Sequence, residues 1–305
     1  MQAIWGALGP VFMMVMLGWG LRRLAFPGPE FWPLVERFTY YLLFPALLVH
    51  KLATADFSAV AVAKVGLGVL LLLGLGTLLL YLWQRFRPEP GPVFTSVYQG
   101  GIRFNTYVGL AAAEQLFGAQ GLAVAALIMA VMIPTVNVLC VLVFARYGSQ
   151  QAPGWRQTLQ QLLRNPLILA CVLGMLLNAS GLGLPGWSAD TLAILGQAAL
   201  PLGLLAVGVA IDLRALQGAS APLLVSSICK FIAMPLLAWL LAWGLQLGEL
   251  SSQLLVVFAA LPTASSAYIL ARQLGGAAPL MANIITLQTL AAMLALPLWL
   301  ALLLH

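Results

Sequence analysis

The feature that most constrains this chain is a succession of apolar runs separated by short polar, glycine-rich or proline-rich segments. The runs have about 20 residues, the length at which an α-helix crosses the ~30 Å hydrocarbon core of a bilayer. Only 7% of the residues are charged, whereas soluble domains have roughly a quarter. The sequence therefore predicts an all-α integral membrane protein and excludes an ordinary soluble domain.

Apolar periodicity, punctuated by Gly, Pro and charged residues, predicts ten transmembrane helices, numbered here as spans 1 to 10. They cover residues 4–22, 31–51, 58–84, 93–117, 120–146, 162–181, 189–211, 219–247, 251–273 and 278–304. The longest gap lies mid-chain. We therefore expect a first five-helix repeat over 1–147, a cytoplasmic linker over 148–161 and a second repeat over 162–305.

The placement of basic residues predicts the orientation in the membrane. The loops after odd-numbered spans, with the helix ends beside them, hold ten arginines: Arg22, Arg23, Arg37, Arg85, Arg87, Arg146, Arg156, Arg164, Arg214 and Arg272. The loops on the other side of the membrane hold Lys51 and Lys64. Cytoplasmic loops are enriched in Arg and Lys, so both termini are predicted to face away from the cytoplasm. The net charge of +6 then reflects topology, and no nucleic-acid partner is expected.

Two related pieces of sequence indicate an internal repeat. QLFG at 115–118 and QLGG at 273–276 are 158 residues apart, and the same register pairs Asn105 with Thr263 and Phe104 with Pro262. Five helices in each half force the halves into opposite orientations. The sequence therefore predicts two inverted five-helix repeats, a frequent plan among secondary transporters.

Spans 4 and 9 are both predicted to be broken. Pro262 lacks an N–H and clashes with the carbonyl one turn back, and polar residues follow it directly, among them Thr263 and Ser265. In span 4, Gly100-Gly101 is expected to loosen the helix ahead of Asn105-Thr106. If the broken spans cross, their half-helix N-termini suit an anion; the alternative is a pair of kinks that serve only packing.

Two basic residues lie inside predicted spans, Arg103 in span 4 and Lys230 in span 8. An arginine at membrane depth costs at least ~2.5–3.5 kcal/mol on insertion scales, so it normally faces a cavity or a partner. Two cations without an obvious acidic partner suit a carboxylate, which Arg binds through two parallel hydrogen bonds. The alternatives are that Arg103 clamps backbone carbonyls or reaches an interface, and that Lys230 is structural.

Polar residues of other spans complete the predicted site. Asn137 and Gln288 are expected to line the same cavity, with helix–helix hydrogen bonds as the alternative. The predicted substrate-binding residues are Arg103, Asn105, Thr106, Asn137, Lys230, Pro262, Thr263, Ser265 and Gln288. Three cysteines without a spacing pattern and two histidines predict neither a disulfide framework nor a metal site, and no motif of an enzyme or a cofactor site is present.

These motifs resemble the auxin efflux carrier family, in particular bacterial relatives of the plant PIN-FORMED carriers. The matching pieces are Arg103-x-Asn105-Thr106 with LFG at 116–118, LPTA at 261–264 with AYILARQ at 267–273, Lys230 ahead of Met234-Pro235, and LQT at 287–289. One departure is Phe104, where the plant carriers have a proline.

The resemblance implies ten helices in two inverted repeats, as in bile-acid sodium symporters, with a scaffold of spans 1, 2, 6 and 7 and a transport domain of spans 3–5 and 8–10. It further implies a homodimer in the inner membrane of a bacterium, and elevator-type alternating access that carries small carboxylates such as malate, malonate or auxin-like acids. Coupling to Na⁺ or H⁺ is left open, and an uncoupled facilitator or channel is the alternative function.

Overall fold

In a computed structural model the described residues are 2–57, 60–149, 163–215 and 220–303, together with 154, 156, 159 and 160. These residues form helices and turns and no strand. Several predicted features lie outside the described residues: most of the linker, the first residues of spans 3, 6 and 8, and the last residue of span 10.

The helices follow the predicted spans closely. The α-helices of the described residues are α1 Gln2–Arg23, α2 Phe31–Phe38, α3 Phe44–Ala53, α4 Val62–Phe86, α5 Gly91–Ile102, α6 Thr106–Tyr147, α7 Pro166–Ala179, α8 Gly186–Val209, α9 Ala221–Ile228, α10 Met234–Gly244, α11 Glu249–Ala259, α12 Ser266–Leu274 and α13 Ala278–Leu303. Single π-helical turns, Thr39–Leu43 and Cys229–Ala233, join α2 to α3 and α9 to α10.

Five helical stretches of the described residues are long and apolar enough to cross a membrane. They are Val62–Phe86, Gly91–Tyr147, Gly186–Val209, Ala221–Gly244 and Ala278–Leu303. The expectation of an all-helical chain with several membrane-length apolar helices is therefore confirmed. Ten crossings in two inverted repeats stay a prediction.

Spans 4 and 9 are both interrupted. Span 4 consists of α5 and the start of α6, and between them Arg103 is extended, with φ −71° and ψ 153°. Span 9 consists of α11 and α12, which are separated by residues 260–265. The 158-residue register of the sequence places these two interruptions opposite each other.

The glycines of span 4 have a different role from the one predicted. Gly100 and Gly101 lie inside α5, so the break does not occur at them. A Cβ on Gly100 would lie 2.7 Å from Ile284 Cγ2, and one on Gly101 would lie 2.8 Å from Leu80 Cδ1. The two glycines thus allow close packing of α5 against α13 and α4, and the helix breaks only after Ile102.

Left-handed glycines end the second part of each broken span. Gly118 has φ 63° inside the α6 segment and marks the boundary between spans 4 and 5. Gly275 has φ 76° and directly follows α12. Glycine takes this conformation without the steric cost of a Cβ, which is why it commonly ends helices.

The chain divides into two compact units, each with helices from both halves of the sequence. Unit 1 comprises Met1–Val62, Tyr107–Ala130 and Gln161–Ala210, and unit 2 comprises Ala63–Thr106, Val131–Gln160 and Ile211–His305. In unit 1, α8 packs against α1 and α3, and α3 also packs against α7. In unit 2, α5 packs against α9, α12 and α13. The assignment of a scaffold and a transport domain stays a prediction.

Candidate functional site

The two interrupted spans meet within unit 2 through their backbones. The Asn105 N–H donates a hydrogen bond to the Pro262 carbonyl at 2.7 Å. Asn105 is 2% exposed and Thr263 is fully buried. Because a bare backbone group at membrane depth costs several kcal/mol, irregular backbone there must be satisfied by protein or water. Each break therefore supplies a partner that the other one needs.

Gln288 of α13 joins both breaks. Its Oε1 accepts from the Thr263 N–H at 3.1 Å and lies 2.7 Å from the Thr263 hydroxyl. Its Nε2 donates to the Gly100 carbonyl at 3.0 Å and to Ser226 Oγ at 3.3 Å. A glutamine amide has two donor hydrogens and two acceptor positions, and the protein itself uses both donors and at least one of the acceptor positions.

The Gly100 carbonyl is one of the acceptors that the end of α5 leaves without an intrahelical partner. Besides Gln288, the Thr263 hydroxyl lies 3.0 Å from it. The hydroxyl has one hydrogen and can donate either to this carbonyl or to Gln288. The end of α5 is thus bonded by side chains of the second half of the chain.

Arg103 lies at the break itself and connects two further elements. Its Nη1 donates to Asn137 Oδ1 at 3.2 Å, and its Nη2 donates to Ser266 Oγ at 3.2 Å. Both partners are neutral, and within the described residues no acidic side chain pairs with Arg103. A guanidinium has five N–H donors, so further donors remain for an incoming acceptor.

Lys230 is the second cation of unit 2, and only 1% of its surface is exposed. It lies in the π-helical turn ahead of Pro235, which has no N–H for the Phe231 carbonyl one turn back. Trp299 Nε1 donates to that carbonyl instead, at 2.7 Å. The turn that holds Lys230 is thus fixed by a tryptophan of α13.

The two cations share their surroundings. Lys230 lies in the π-helical turn Cys229–Ala233, which packs against α5, and Arg103 directly follows α5. No salt bridge to a carboxylate is found for Lys230 within the described residues. The interior of unit 2 therefore concentrates positive charge at the end of α5.

The hydrogen bonds bring together most of the residues that the sequence predicted as a site. Three hydrogen-bonded pairs lie among them: Arg103 with Asn137, Asn105 with Pro262, and Thr263 with Gln288. Lys230 lies outside these pairs, in the π-helical turn that packs against α5. Thr106 begins α6, and Ser265 directly precedes α12 without a capping hydrogen bond from its side chain.

The predicted site residues do not include Ser226 and Ser266, which bind Gln288 and Arg103. Both are small hydroxyl residues in apolar helices, and their spacing does not distinguish them from serines that bond to their own helix, as Ser227 does with the Leu223 carbonyl. Among the described residues, no group of three or more His, Cys, Asp or Glu could hold a metal ion.

Comparison with known proteins gives two matches. A family model described as "Membrane transport protein" matches residues 155–300, which include Lys230, Thr263 and Gln288. The chain is also 24% identical over 292 residues to an uncharacterized transporter of Methanothermobacter thermautotrophicus, an alignment that covers 95% of each chain. Both comparisons are thus with membrane transport proteins or transporters.

Proposed function

We propose that this protein is a secondary carrier of small organic anions, with carboxylates such as malate, malonate or auxin-like acids as substrates. The observation that carries the proposal is the position of Arg103. It lies at the break of span 4, is held by the neutral side chains of Asn137 and Ser266, and has no carboxylate partner among the described residues.

An incoming carboxylate would exchange these neutral contacts for charged ones. The two hydrogen bonds of Arg103 are 3.2 Å long, whereas bonds between a guanidinium and a carboxylate are about 2.7–2.9 Å and come in parallel pairs. Lys230 adds a second basic residue, in the turn that packs against α5. A dicarboxylate would gain from both cations, and a monocarboxylate from Arg103 alone.

We further propose elevator-type alternating access. The hydrogen bonds of Arg103 to Asn137 and Ser266 are formed within unit 2, and so are those between Thr263 and Gln288. A site built in this way can move across the membrane as one body, because its internal contacts need not break during the movement. The homodimer, the inner-membrane location and the coupling ion stay predictions.

The test is uptake of labelled malate, malonate and indole-acetate into proteoliposomes. Arg103→Gln keeps a polar side chain but removes the charge, and Arg85→Gln is the control, since Arg85 lies at the exposed end of α4. A hydrogen bond to a charged group is worth about 1.5–3 kcal/mol, which corresponds to a loss of roughly 10- to 150-fold in substrate affinity. Unchanged saturable uptake by a folded Arg103→Gln protein would overturn the proposal.

A further inference from the structure

Unit 1 contains a cavity of about 410 Å³ that the anion site does not use. The volume lies within the range of about 300–1,000 Å³ that is typical for small-molecule pockets. Its walls come from α1, α3, α6 and α8, and every lining residue belongs to unit 1. Leu47, Leu200 and Leu204 form part of an apolar wall.

The cavity also contains one cation and one anion. Lys51 Nζ lies 4.0 Å from Glu114 Oε1, and the two side chains are 23% and 39% exposed. A direct hydrogen bond between an ammonium and a carboxylate is about 2.7–2.9 Å long. The two charged groups therefore lie close together without a direct hydrogen bond between them.

Neutral polar groups surround this pair. Gln115, Gln197 and His50 line the same cavity. The buried His50 Nδ1 has no hydrogen-bond partner within the described residues. Pro201 also lines the cavity and has no N–H for the Gln197 carbonyl one turn back. The cavity thus offers unused donors and acceptors next to an apolar wall.

The charges of the cavity decide which class of ligand it suits. A simple anion that bound Lys51 would leave Glu114 without its counter-charge, and a simple cation that bound Glu114 would leave Lys51 without one. An uncompensated charge in a partly buried site is costly. A zwitterion gives each group its own partner and keeps the net charge of the cavity unchanged.

We infer that this cavity is a binding site for a zwitterionic α-amino acid with an aliphatic side chain. Its carboxylate binds Lys51, its ammonium group binds Glu114, and its side chain packs against the leucine wall. This site goes beyond the proposed anion transport, because it uses neither Arg103 nor Lys230. The positions of Lys51 and Glu114 therefore confer selectivity for ligands that carry both charges.

The experiment measures binding of labelled L-leucine to the full-length protein in detergent, with competition by two single-charge analogues. These are 4-methylpentanoate, which has no ammonium group, and 3-methylbutylamine, which has no carboxylate. We expect saturable binding of L-leucine and at least about tenfold weaker competition by either analogue, since each analogue loses one charged hydrogen bond. Absence of L-leucine binding, or equal competition by the carboxylate alone, would overturn the inference.

Matched variants assign the site. Lys51→Gln and Glu114→Gln are each expected to weaken L-leucine binding at least about tenfold. Lys64→Gln is the control, because Lys64 is exposed and does not line the cavity. L-leucine binding that survives both Lys51→Gln and Glu114→Gln would contradict the proposed contacts.

The competition between L-leucine and its two analogues is measured on the wild-type protein, so a folding defect of a variant cannot decide its result. Arg103→Gln separates this inference from the proposed function: it is expected to keep L-leucine binding while anion uptake is lost. Loss of L-leucine binding in a folded Arg103→Gln protein would overturn the assignment of the ligand to this cavity.

Discussion

The break of span 9 contains a proline, whereas the break of span 4 contains none. Pro262 cannot donate a backbone hydrogen bond and clashes with the preceding turn, and a residue ahead of a proline is disfavoured in the helical conformation. Span 9 is thus broken by its own sequence. In span 4, Arg103 is extended with ψ 153° although Phe104 follows it, so the cause must lie elsewhere.

Contacts from the second half of the chain supply that cause. The Gly100 carbonyl is bonded by Gln288 and lies within reach of the Thr263 hydroxyl. The Asn105 N–H is bonded by the carbonyl of Pro262. The break of span 9 is therefore encoded locally, whereas the break of span 4 depends on long-range hydrogen bonds from residues in or near span 9 and from Gln288.

The largest effect is expected for Gln288→Met, which tests the dependence of span 4 on long-range hydrogen bonds. This variant keeps the shape of the side chain and removes its amide. The Thr263 N–H would lose its acceptor, and the Gly100 carbonyl would lose one donor. Each unsatisfied buried group costs about 1–3 kcal/mol, and a domain of this size loses roughly 2–4 °C in Tm per kcal/mol. We expect Tm to fall by several degrees in a thermal unfolding assay and anion uptake to fall at least about tenfold.

Gln99→Met is the matched control. Gln99 is also fully buried, but its Oε1 has no hydrogen-bond partner within the described residues. Gln99→Met removes that unsatisfied oxygen together with a weak hydrogen bond from Nε2 to Met281 Sδ at 3.8 Å, so Tm should stay nearly unchanged or rise. A fall in Tm as large as that of Gln288→Met would show that burial alone, and not the bridge between the breaks, explains the effect.

Pro262 and Gln288 differ in how far their roles in the candidate site can be predicted from the sequence. The break at Pro262 and the unusual charge of Arg103 are local signals, so both could be predicted. The role of Gly100-Gly101 was mistaken, because a glycine pair that loosens a helix and one that permits close packing have the same sequence. The partners of Gln288 could not be predicted, since they lie far apart in the chain.

Thr263→Val tests the second long-range contact and should have a smaller effect. It removes a hydroxyl that lies 3.0 Å from the Gly100 carbonyl, but Gln288 continues to bond that carbonyl. The expected cost is about 0.5–1.5 kcal/mol, seen as a fall of a few degrees in Tm. Thr289→Val is the control: its hydroxyl donates to the Ile285 carbonyl of its own helix, so Tm should change less.

Phe104→Pro would give span 4 the local signal that span 9 has. Arg103 is already extended, as a residue ahead of a proline should be, and no hydrogen bond from the Phe104 N–H is found within the described residues. The ring of Phe104 lies 5.8 Å from that of Phe258 and is lost in any such variant, so the comparison is with Phe104→Ala. We expect the proline variant to be more stable than the alanine variant by about 0.4–1 kcal/mol. A less stable proline variant would mean that the conformation at this break is incompatible with proline.

The smallest expected effect concerns sodium. Three oxygens at the meeting of the two breaks already accept hydrogen bonds: the Gly100 carbonyl, the Pro262 carbonyl and Gln288 Oε1. A carbonyl oxygen has two lone pairs, so a sodium ion there would compete with donors at the Gly100 carbonyl and Gln288 Oε1 and would find one lone pair of the Pro262 carbonyl open. We therefore expect that replacing external Na⁺ by K⁺ changes the initial rate of anion uptake into proteoliposomes by less than about twofold, since no hydrogen bond of this set is gained or lost.

Strong stimulation by Na⁺ would show that these oxygens are released during the transport cycle. In that case, Gln288→Met should reduce the stimulation more than Gln99→Met does, because only Gln288 is bonded at both breaks.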